Sequence, residues 1–374
     1  MVEGKADFAD RVQAIAEYVQ NRIRYVAIEI GVGGYQPHAA SDIFRLQYGD
    51  CKDKATLLSA MLNAIGVRAT WVMVDTERGV MVPEAPSTDA NHMIAAIQLP
   101  QGYRSERLQS IVQVTNGERY LIFDPTWEKT PFGQLESGLQ GGYGLLMDGN
   151  NSQLVALPVL QPESNRVTRV GRFVLTPEGN LTGQITEERK GDIASYRRNV
   201  YTNWNAKEQS AFLDDVIAND LTDFHIGGVK VENVQDLQKA LTVSYSLQSS
   251  RFGRVAGPLM MVRPRVLFTD GMHLDHKERT LPIDLSETRR VEDRYEIELP
   301  AGYAVEEMPP PVKLDLGFAM YESDSEMHSG KLQYTRLYQV RQITLPAARY
   351  NDLQQMAGAI AMDESSTAIL KRIQ

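Results

Sequence analysis

Among 374 residues the chain has one cysteine, Cys51. A single thiol excludes an internal disulfide framework and any Cys-rich zinc or iron–sulfur site, so Cys51 matters, if at all, as a reactive group. Positive charge is also short. Lys and Arg number 39 against 48 Asp and Glu, a net charge of −9, which argues against a broad nucleic-acid footprint or a polybasic membrane contact. No apolar run reaches about 18 residues, and Met1-Val2-Glu3-Gly4-Lys5 lacks the layout of a signal peptide. As written, the chain reads as neither spanning a membrane nor carrying an export signal. The glycines Gly31, Gly33 and Gly34 are not spaced as a dinucleotide or P-loop fingerprint and read as a turn. No EF-hand calcium loop is present. The chain does have an ordinary apolar fraction, 43%, and length enough for two cores.

The most informative stretch is Tyr48-Gly-Asp-Cys-Lys-Asp-Lys-Ala-Thr-Leu-Leu58. Asp50 is a good N-cap and Asp53 can reach back as a capping-box residue, while Leu58, Met61, Leu62 and Ile65 follow at helical spacing and Gly66 ends the helix. Cys51 then sits in the first turn, where unpaired N–H groups and the helix dipole favour thiolate over thiol. A lone cysteine is commonly a small buried hydrophobe. Here the neighbouring charges Asp50, Lys52, Asp53 and Lys54 argue against a wholly buried turn and favour a catalytic, or formerly catalytic, role.

Before this helix, Asp7 to Arg24 predicts an amphipathic helix with Val12, Ile15, Ala16, Val19 and Ile23 on one stripe. Tyr25 to Ile30 reads as a short strand, and Ser41 as the cap of a short helix. After it, Val67 to Asp75 predicts a buried strand. A second strand opens at His92, and Ile111–Val114, a turn at Asn116-Gly117 and a strand from Tyr120 follow, the last closing on Asp124. Cys51, His92 and Asp124 thus lie at the ends of elements, where catalytic groups are held rigidly yet open to a cleft. If the two strands pair antiparallel, register can bring Asp124 to His92. Asp124 before Pro125 also reads as a simple turn starter.

The run Gly49-Asp50-Cys51-Lys52-Asp53 opening a helix, then Asn91-His92, then Phe123-Asp124-Pro125-Thr126-Trp127, resembles the bacterial transglutaminase-like superfamily, whose core is similar to papain-like cysteine proteases. The resemblance covers roughly residues 7 to 158. It implies an α+β fold with helices packed on an antiparallel sheet, and Cys51 as nucleophile, His92 as general base and acid, and Asp124 as the group that orients the imidazolium. Independently of the family, such a trio attacks an amide carbonyl and passes through a thioester; water then makes a peptidase or amidase, an amine a transglutaminase. The Cys51 N–H is the natural oxyanion donor, with Gln36 or Tyr35 as candidates for a second. No cofactor or metal is called for. His273-Leu-Asp-His276 gives only a weak metal spacing, and His38, His225 and His328 read as surface or locally bonded.

The glycine-rich segment from Thr130 to Asn150 reads as a mobile or tightly turning loop lining the cleft, or as a long surface connection. A boundary is expected at Leu157 to Asn165, giving a core over 1–158 and a mainly β accessory domain over 166–374. In the second part, strands are expected at Arg172–Leu175, Leu181–Glu188, Leu241–Leu247, Met260–Phe268, Tyr295–Leu299 and Leu332–Val340, with helices at Ile193–Tyr201, Ala206–Ala218 and Arg349–Met362. This order resembles bacterial proteins with a transglutaminase-like core and a following β-rich domain of uncharacterised function. By that resemblance a further N-terminal domain of a longer precursor and a periplasmic or envelope location are implied. The expected partner is a protein or peptide substrate, without nucleic acid. The alternative to an enzyme is a noncatalytic peptide-binding or envelope assembly module using the same cleft.

Overall fold

The computed structural model describes residues 1–85, 90–267, 274 and 279–373. Its chain divides into two compact units, Met1–Leu160 and Gln161–Gln374.

In the first unit the Asp7 carboxylate accepts from the N–H groups of Ala9, at 2.9 Å, and Asp10, at 3.3 Å, and so starts α1 (Phe8–Arg22). The strand expected over Tyr25–Ile30 shrinks to β1 (Arg24–Tyr25), paired in parallel with β2 (Tyr48–Gly49). Its partner runs out, because Asp50 already turns the chain into a helix. The residues that follow close into a 3₁₀ turn over Gly31–Gly34. Helix α2 (Ala40–Leu46) starts from Ala39 without a side-chain cap, two residues ahead of the expected Ser41 cap, and ends on Gln47 in the left-handed region. Helix α3 (Cys51–Asn63) has the capping box that its sequence predicts. It closes with the Val67 N–H on the Leu62 carbonyl and the Gly66 N–H on that of Asn63, both at 3.0 Å, a turn that needs the positive φ of Gly66.

Strands β3 (Ala69–Val74), β4 (His92–Gln98), β5 (Ile111–Gln113), β6 (Arg119–Phe123), β7 (Tyr143–Met147) and β8 (Gln153–Ala156) form one antiparallel sheet in the order β5-β6-β4-β3-β7-β8. Alternation along β4 and β6 divides the core. Ala95, Ile97, Leu121 and Phe123 pack with Val12, Val19, Leu58 and Leu62 of the helices, whereas Ile94, Ala96 and Ile122 pack with Leu135, Leu139 and Leu146 on the other face. The glycine-rich segment turns tightly over 130–142, as one reading expected, but it is not a surface connection, and its second part is no loop. Leu135 and Leu139 cover the sheet and Tyr143–Met147 is a strand within it, because the segment carries its own apolar residues between the glycines. Gly133, at φ 91°, lies so close to the Arg107 carbonyl that no side chain fits.

The second unit is built on an eight-stranded sheet among the described residues. It begins with the hairpin β9 (Arg166–Leu175) and β10 (Leu181–Lys190), then α4 (Ser195–Asn203), α5 (Ala206–Ile217), β11 (Phe224–Glu232) and β12 (Leu241–Ser249). Short strands β13 (Arg254–Ala256), β14 (Leu259–Val262) and β15 (Ile283–Asp284) lead to β16 (Arg289–Glu298), β17 (Tyr303–Glu307), β18 (Val312–Asp315), β19 (Ala319–His328) and β20 (Lys331–Val340). The chain ends with β21 (Thr344–Leu345), α6 (Tyr350–Ser365) and β22 (Ala368–Arg372). The large sheet has the order β11-β12-β10-β9-β16-β20-β19-β18, and β13-β14-β22-β17 form a smaller one. The strand expected over Met260–Phe268 is confined to β14, and Phe268 lies outside the described residues.

A row of buried charges crosses the centre of the large sheet. Arg169 on β9 lies directly opposite Glu187 on β10 and Asp293 on β16, and Arg336 on β20 lies opposite Asp293. The contacts are Arg169 Nε to Glu187 at 2.7 Å, Arg169 Nη1 to Asp293 at 3.1 Å and Arg336 Nε to Asp293 at 2.7 Å. Burial opposes both ions of the first pair. It is outweighed, so Glu187 is held below and Arg169 above its ordinary value by their neighbours' charges. A one-residue slip would move every one of these charges to the opposite face. Asp293→Ala, which leaves Arg169 and Arg336 facing each other across a buried gap, is expected to cost about 3–5 kcal/mol of unfolding free energy in urea titrations, with Asp293→Asn less damaging.

Candidate active site

Three elements bring Cys51, His92 and Asp124 together: the start of α3, the start of β4 and the end of β6. Antiparallel pairing of β4 with β6 sets Ala95 opposite Phe123. That register, which the sequence leaves open, puts the start of β4 beside the end of β6, so His92 Nε2 meets Asp124 Oδ2 at 2.7 Å. The other Asp124 oxygen accepts from both the backbone N–H and the hydroxyl of Thr126, each at 2.7 Å. The carboxylate is therefore held on both oxygens, and residue 126 of the Asp-Pro-Thr-Trp run acquires a function that sequence reading did not give it. With Nε2 turned to Asp124, Nδ1 is the ring nitrogen left for the Cys51 side chain, which interacts with His92.

The electrostatics follow from burial and pairing. Burial alone would lower the His92 pKa. The Asp124 hydrogen bond and the Cys51 sulfur outweigh it, and His92 is pushed up to about 10. Burial would raise Asp124, but the bond from His92 and those from Thr126 hold it below the usual carboxylate range. Each partner of the pair thus favours the ionised form of the other.

The turn that carries Cys51 is buried, contrary to the expectation drawn from its four charged neighbours: Cys51 is 7% exposed, and Asp50, Lys52, Asp53 and Lys54 lie at 6% or less. Each charge has a partner, and that permits the burial. Asp50 caps the helix, accepting the Asp53 N–H at 3.2 Å, and also holds the Lys52 ammonium. Asp53 accepts the His38 N–H at 2.8 Å and faces its ring Nδ1 at 3.0 Å. Lys54, fully buried, donates to the carbonyls of Gln20 at 3.1 Å and Ile23 at 2.8 Å, the last turn of α1. Burial lowers Lys54 to about 8, against the opposing charges of Glu128 and Asp124. Gln20 in turn donates to the Trp127 carbonyl at 2.7 Å, so helix α1, the Cys51 turn and the strand end beyond Asp124 are one bonded assembly.

Gly49 has no φ requirement but a steric one. A Cβ there would stand 2.5 Å from the Cβ of Asp53. Tyr25, opposite Gly49 in the β1–β2 pair, is a further residue that sequence reading missed: burial, reinforced by the negative charges of Cys51 and Asp50, pushes its hydroxyl up to about 12. It keeps its proton at neutral pH. The oxyanion candidates stand apart from these contacts: the Tyr35 side chain is 92% exposed and Gln36 is exposed as well, although His38 ties the segment after them to Asp53.

The residues that form this site lie within a recognisable family region. Residues 1–125 match the transglutaminase-like superfamily. The match spans Cys51, His92 and Asp124, and residues 260–370 match a family described as a domain of unknown function, DUF3858. A crystal structure described as a "putative protease" from Parabacteroides distasonis ATCC 8503 superposes with a TM-score of 0.53 at 11% identity. The alignment covers 99% of this chain and 53% of that protein, so the chain spans about half of its length. At that identity the likeness is one of fold. No curated protein matches the chain. The architecture is α+β, a transglutaminase-like core followed by a β-rich region, as the sequence motifs imply. Among the described residues no group of three or more His, Cys, Asp or Glu side chains is placed to hold a metal, and no helix is long and apolar enough to cross a membrane. His273 and His276 lie outside the described residues.

Two outcomes are expected. Gly49→Ala should displace Asp53 and cost about 1–3 kcal/mol in chemical unfolding, a cost of overpacking that Asp53→Gly in the same chain, which removes the obstructing Cβ, should relieve in part. The second outcome concerns pH. A histidine whose pKa rises on folding contributes stability that is complete below its unfolded value, near 6.5, and is lost as pH climbs through its folded value, near 10. Lys54, lowered on folding, acts in the opposite sense between about 8 and 10.5, so the window from pH 6.5 to 8 isolates the histidine. With Cys51 replaced by Ala, so that no thiol proton offsets that of the imidazole, urea unfolding across that window should show a steeper loss of stability with His92 in place than with His92→Gln; equal slopes would mean that the His92–Asp124 pair does not form in solution.

Proposed function

We propose that the transglutaminase-like core is a cysteine-dependent acyl-transfer catalyst acting on amide bonds of proteins or peptides, a peptidase, amidase or transglutaminase. The observation that carries this reading is the 2.7 Å bond between His92 Nε2 and Asp124 Oδ2, which leaves Nδ1 for the side chain of Cys51. In the proposed reaction Cys51 is the nucleophile, His92 the general acid and base, and Asp124 the orienting carboxylate.

The Cys51 thiolate adds to the amide carbonyl and the carbonyl π pair moves to oxygen. The Cys51 backbone N–H, at the first helical position and without an intrahelical acceptor, receives that oxyanion. Collapse of the adduct expels the amine, which takes its proton from His92, and leaves a thioester. Neutral His92 then removes a proton from water or from an acceptor amine as it attacks the thioester, and the sulfur leaves as thiolate. Asp124, fixed by Thr126, keeps the imidazole in the tautomer and orientation that both halves need. Tyr25, whose hydroxyl stays protonated, supports the reading as a neutral neighbour of the sulfur.

The binding-module reading makes a different prediction about the thiol. Iodoacetamide alkylation of Cys51 at pH 6, with adducts counted by mass spectrometry, should be about ten-fold or more slower in His92→Gln than in the wild type, because only the thiolate reacts and a neighbouring imidazolium maintains it. Labelling at the same slow rate in both proteins would sink the catalytic assignment and favour a peptide-binding module. Cys51→Ala should abolish labelling and amide turnover while keeping unfolding within about 1–2 kcal/mol of wild type.

A further inference from the structure

Eleven residues ahead of the site, Tyr25 to Tyr35, carry one charge, Glu29, and five exposed large apolar side chains. Ile30 is 82% exposed, Val32 71% and Tyr35 92%, with Tyr25 and Ile28 about half exposed. Apolar surface of this kind on a folded chain marks an interaction site. Its backbone is fixed. The turn is closed by Gly33 N–H to Ile30 at 3.2 Å and by Tyr35 and Gln36 N–H to Val32 at 3.0 and 2.9 Å. Exposure here is a property of an ordered turn.

Both ends of the segment are clipped to the thiol's own surroundings. At one end the Val26 N–H donates to the Gly49 carbonyl at 2.9 Å, and at the other the His38 N–H donates to Asp53 Oδ1 at 2.8 Å. Gly49 and Asp53 each lie two residues from Cys51. The strip is therefore joined at both ends to the turn that carries Cys51. From the Asp124 end of the triad a further aromatic, Trp127, is half exposed while Gln20 holds its carbonyl at 2.7 Å.

We infer that the Tyr25–Tyr35 strip is the substrate-binding wall of the site and that it receives an extended peptide segment with apolar side chains flanking the residue whose carbonyl is attacked. This rests on the function proposed above. The occupant is a substrate and not a resident partner, because Cys51 is only 7% exposed already and a permanent cover beside it would close the route that acyl transfer needs. Specificity then comes from burying apolar side chains of the substrate against Ile28, Ile30 and Val32, with Tyr25 beside the scissile bond.

The probes are two peptidyl vinyl sulfones that share the residue bearing the electrophile and differ in its flanks, Leu and Phe in one, Ser and Gly in the other. Second-order labelling of Cys51 should be about ten-fold faster with the apolar reagent, as burial of one or two aliphatic groups provides. The double variant Ile30→Ser, Val32→Ser should reduce that preference to about two-fold, with a circular dichroism melt to establish that it is folded. Equal rates of the two reagents on a wild type whose iodoacetamide labelling depends on His92 would overturn the strip alone and leave the catalytic reading standing. Loss of His92 dependence with iodoacetamide overturns both. Concentration-dependent dimerisation of the wild type that the double variant abolishes would assign the strip to a second copy of the chain and overturn the inference as well.

Discussion

The hydrogen bond between His92 and Asp124 is the constraint that the site depends on, and it is a consequence of strand register. Ala95 faces Phe123 across β4 and β6, and only that pairing brings a histidine at the start of one strand to an aspartate at the end of the other. A shift of one residue would reverse the faces of Ile94, Ala95, Ala96 and Ile97, and the two cores on either side of the sheet would each lose their apolar contributions. The same burial that stabilises the fold thus fixes the His92–Asp124 pairing. The pair itself sits where burial opposes each charge alone, so it persists because each ion supplies what the other lacks in water.

The turn that presents Cys51 obeys the same logic. Four ionisable side chains and a thiol are packed into five consecutive residues with almost no solvent contact. A wholly apolar turn could not orient the sulfur as firmly, since its surroundings would be free to repack. Here Asp50, Asp53 and Lys54 each have a specific acceptor or donor on another segment or on the helix end, and the turn has one low-energy arrangement. Gly49 is part of that arrangement because Asp53 occupies the space that a side chain would need. The helix start, α1 and the Trp127 strand end are linked through Lys54 and Gln20, so Cys51 is held by three segments and not by its helix alone.

Much of this was legible in the chain. The apolar stripe from Val12 to Ile23 and the capping box of Asp50 and Asp53 announced two helices, and Gly-Asp-Cys, His92 at a strand start and Asp-Pro-Thr-Trp at a strand end pointed to the trio. What was not legible depends on partners distant in sequence. Charged residues read as exposed because nothing local reveals that Lys54 meets the carbonyls of Gln20 and Ile23, or that Asp53 meets His38. The strand after Tyr25 was cut short by the length of β2, a property of its partner. The segment after Thr130 read as a loop because its glycines are conspicuous, whereas Leu135, Leu139 and Leu146 decide its place against the sheet. In the second unit the row Glu187, Arg169, Asp293, Arg336 was invisible, since alternate charges along separate strands become a row only after register is set.

In the proposed reaction, rigidity and exposure are divided between neighbouring parts of the first unit. Cys51 and Asp124 are buried, His92 is largely covered, and the two ends of the His92–Asp124 pair are bonded, which sets the direction of proton transfer but gives no means of choosing a substrate. Choice requires a surface that changes environment on binding, and the ordered apolar turn ahead of α3 is such a surface, joined to the turn of Cys51 at Gly49 and Asp53. Binding there would also remove water from the approach to the thiol, and water is the competitor of every acceptor amine for the thioester. The balance between hydrolysis and amine transfer is then set by how completely the bound segment covers the strip, and not by the trio, which serves both outcomes with the same three side chains.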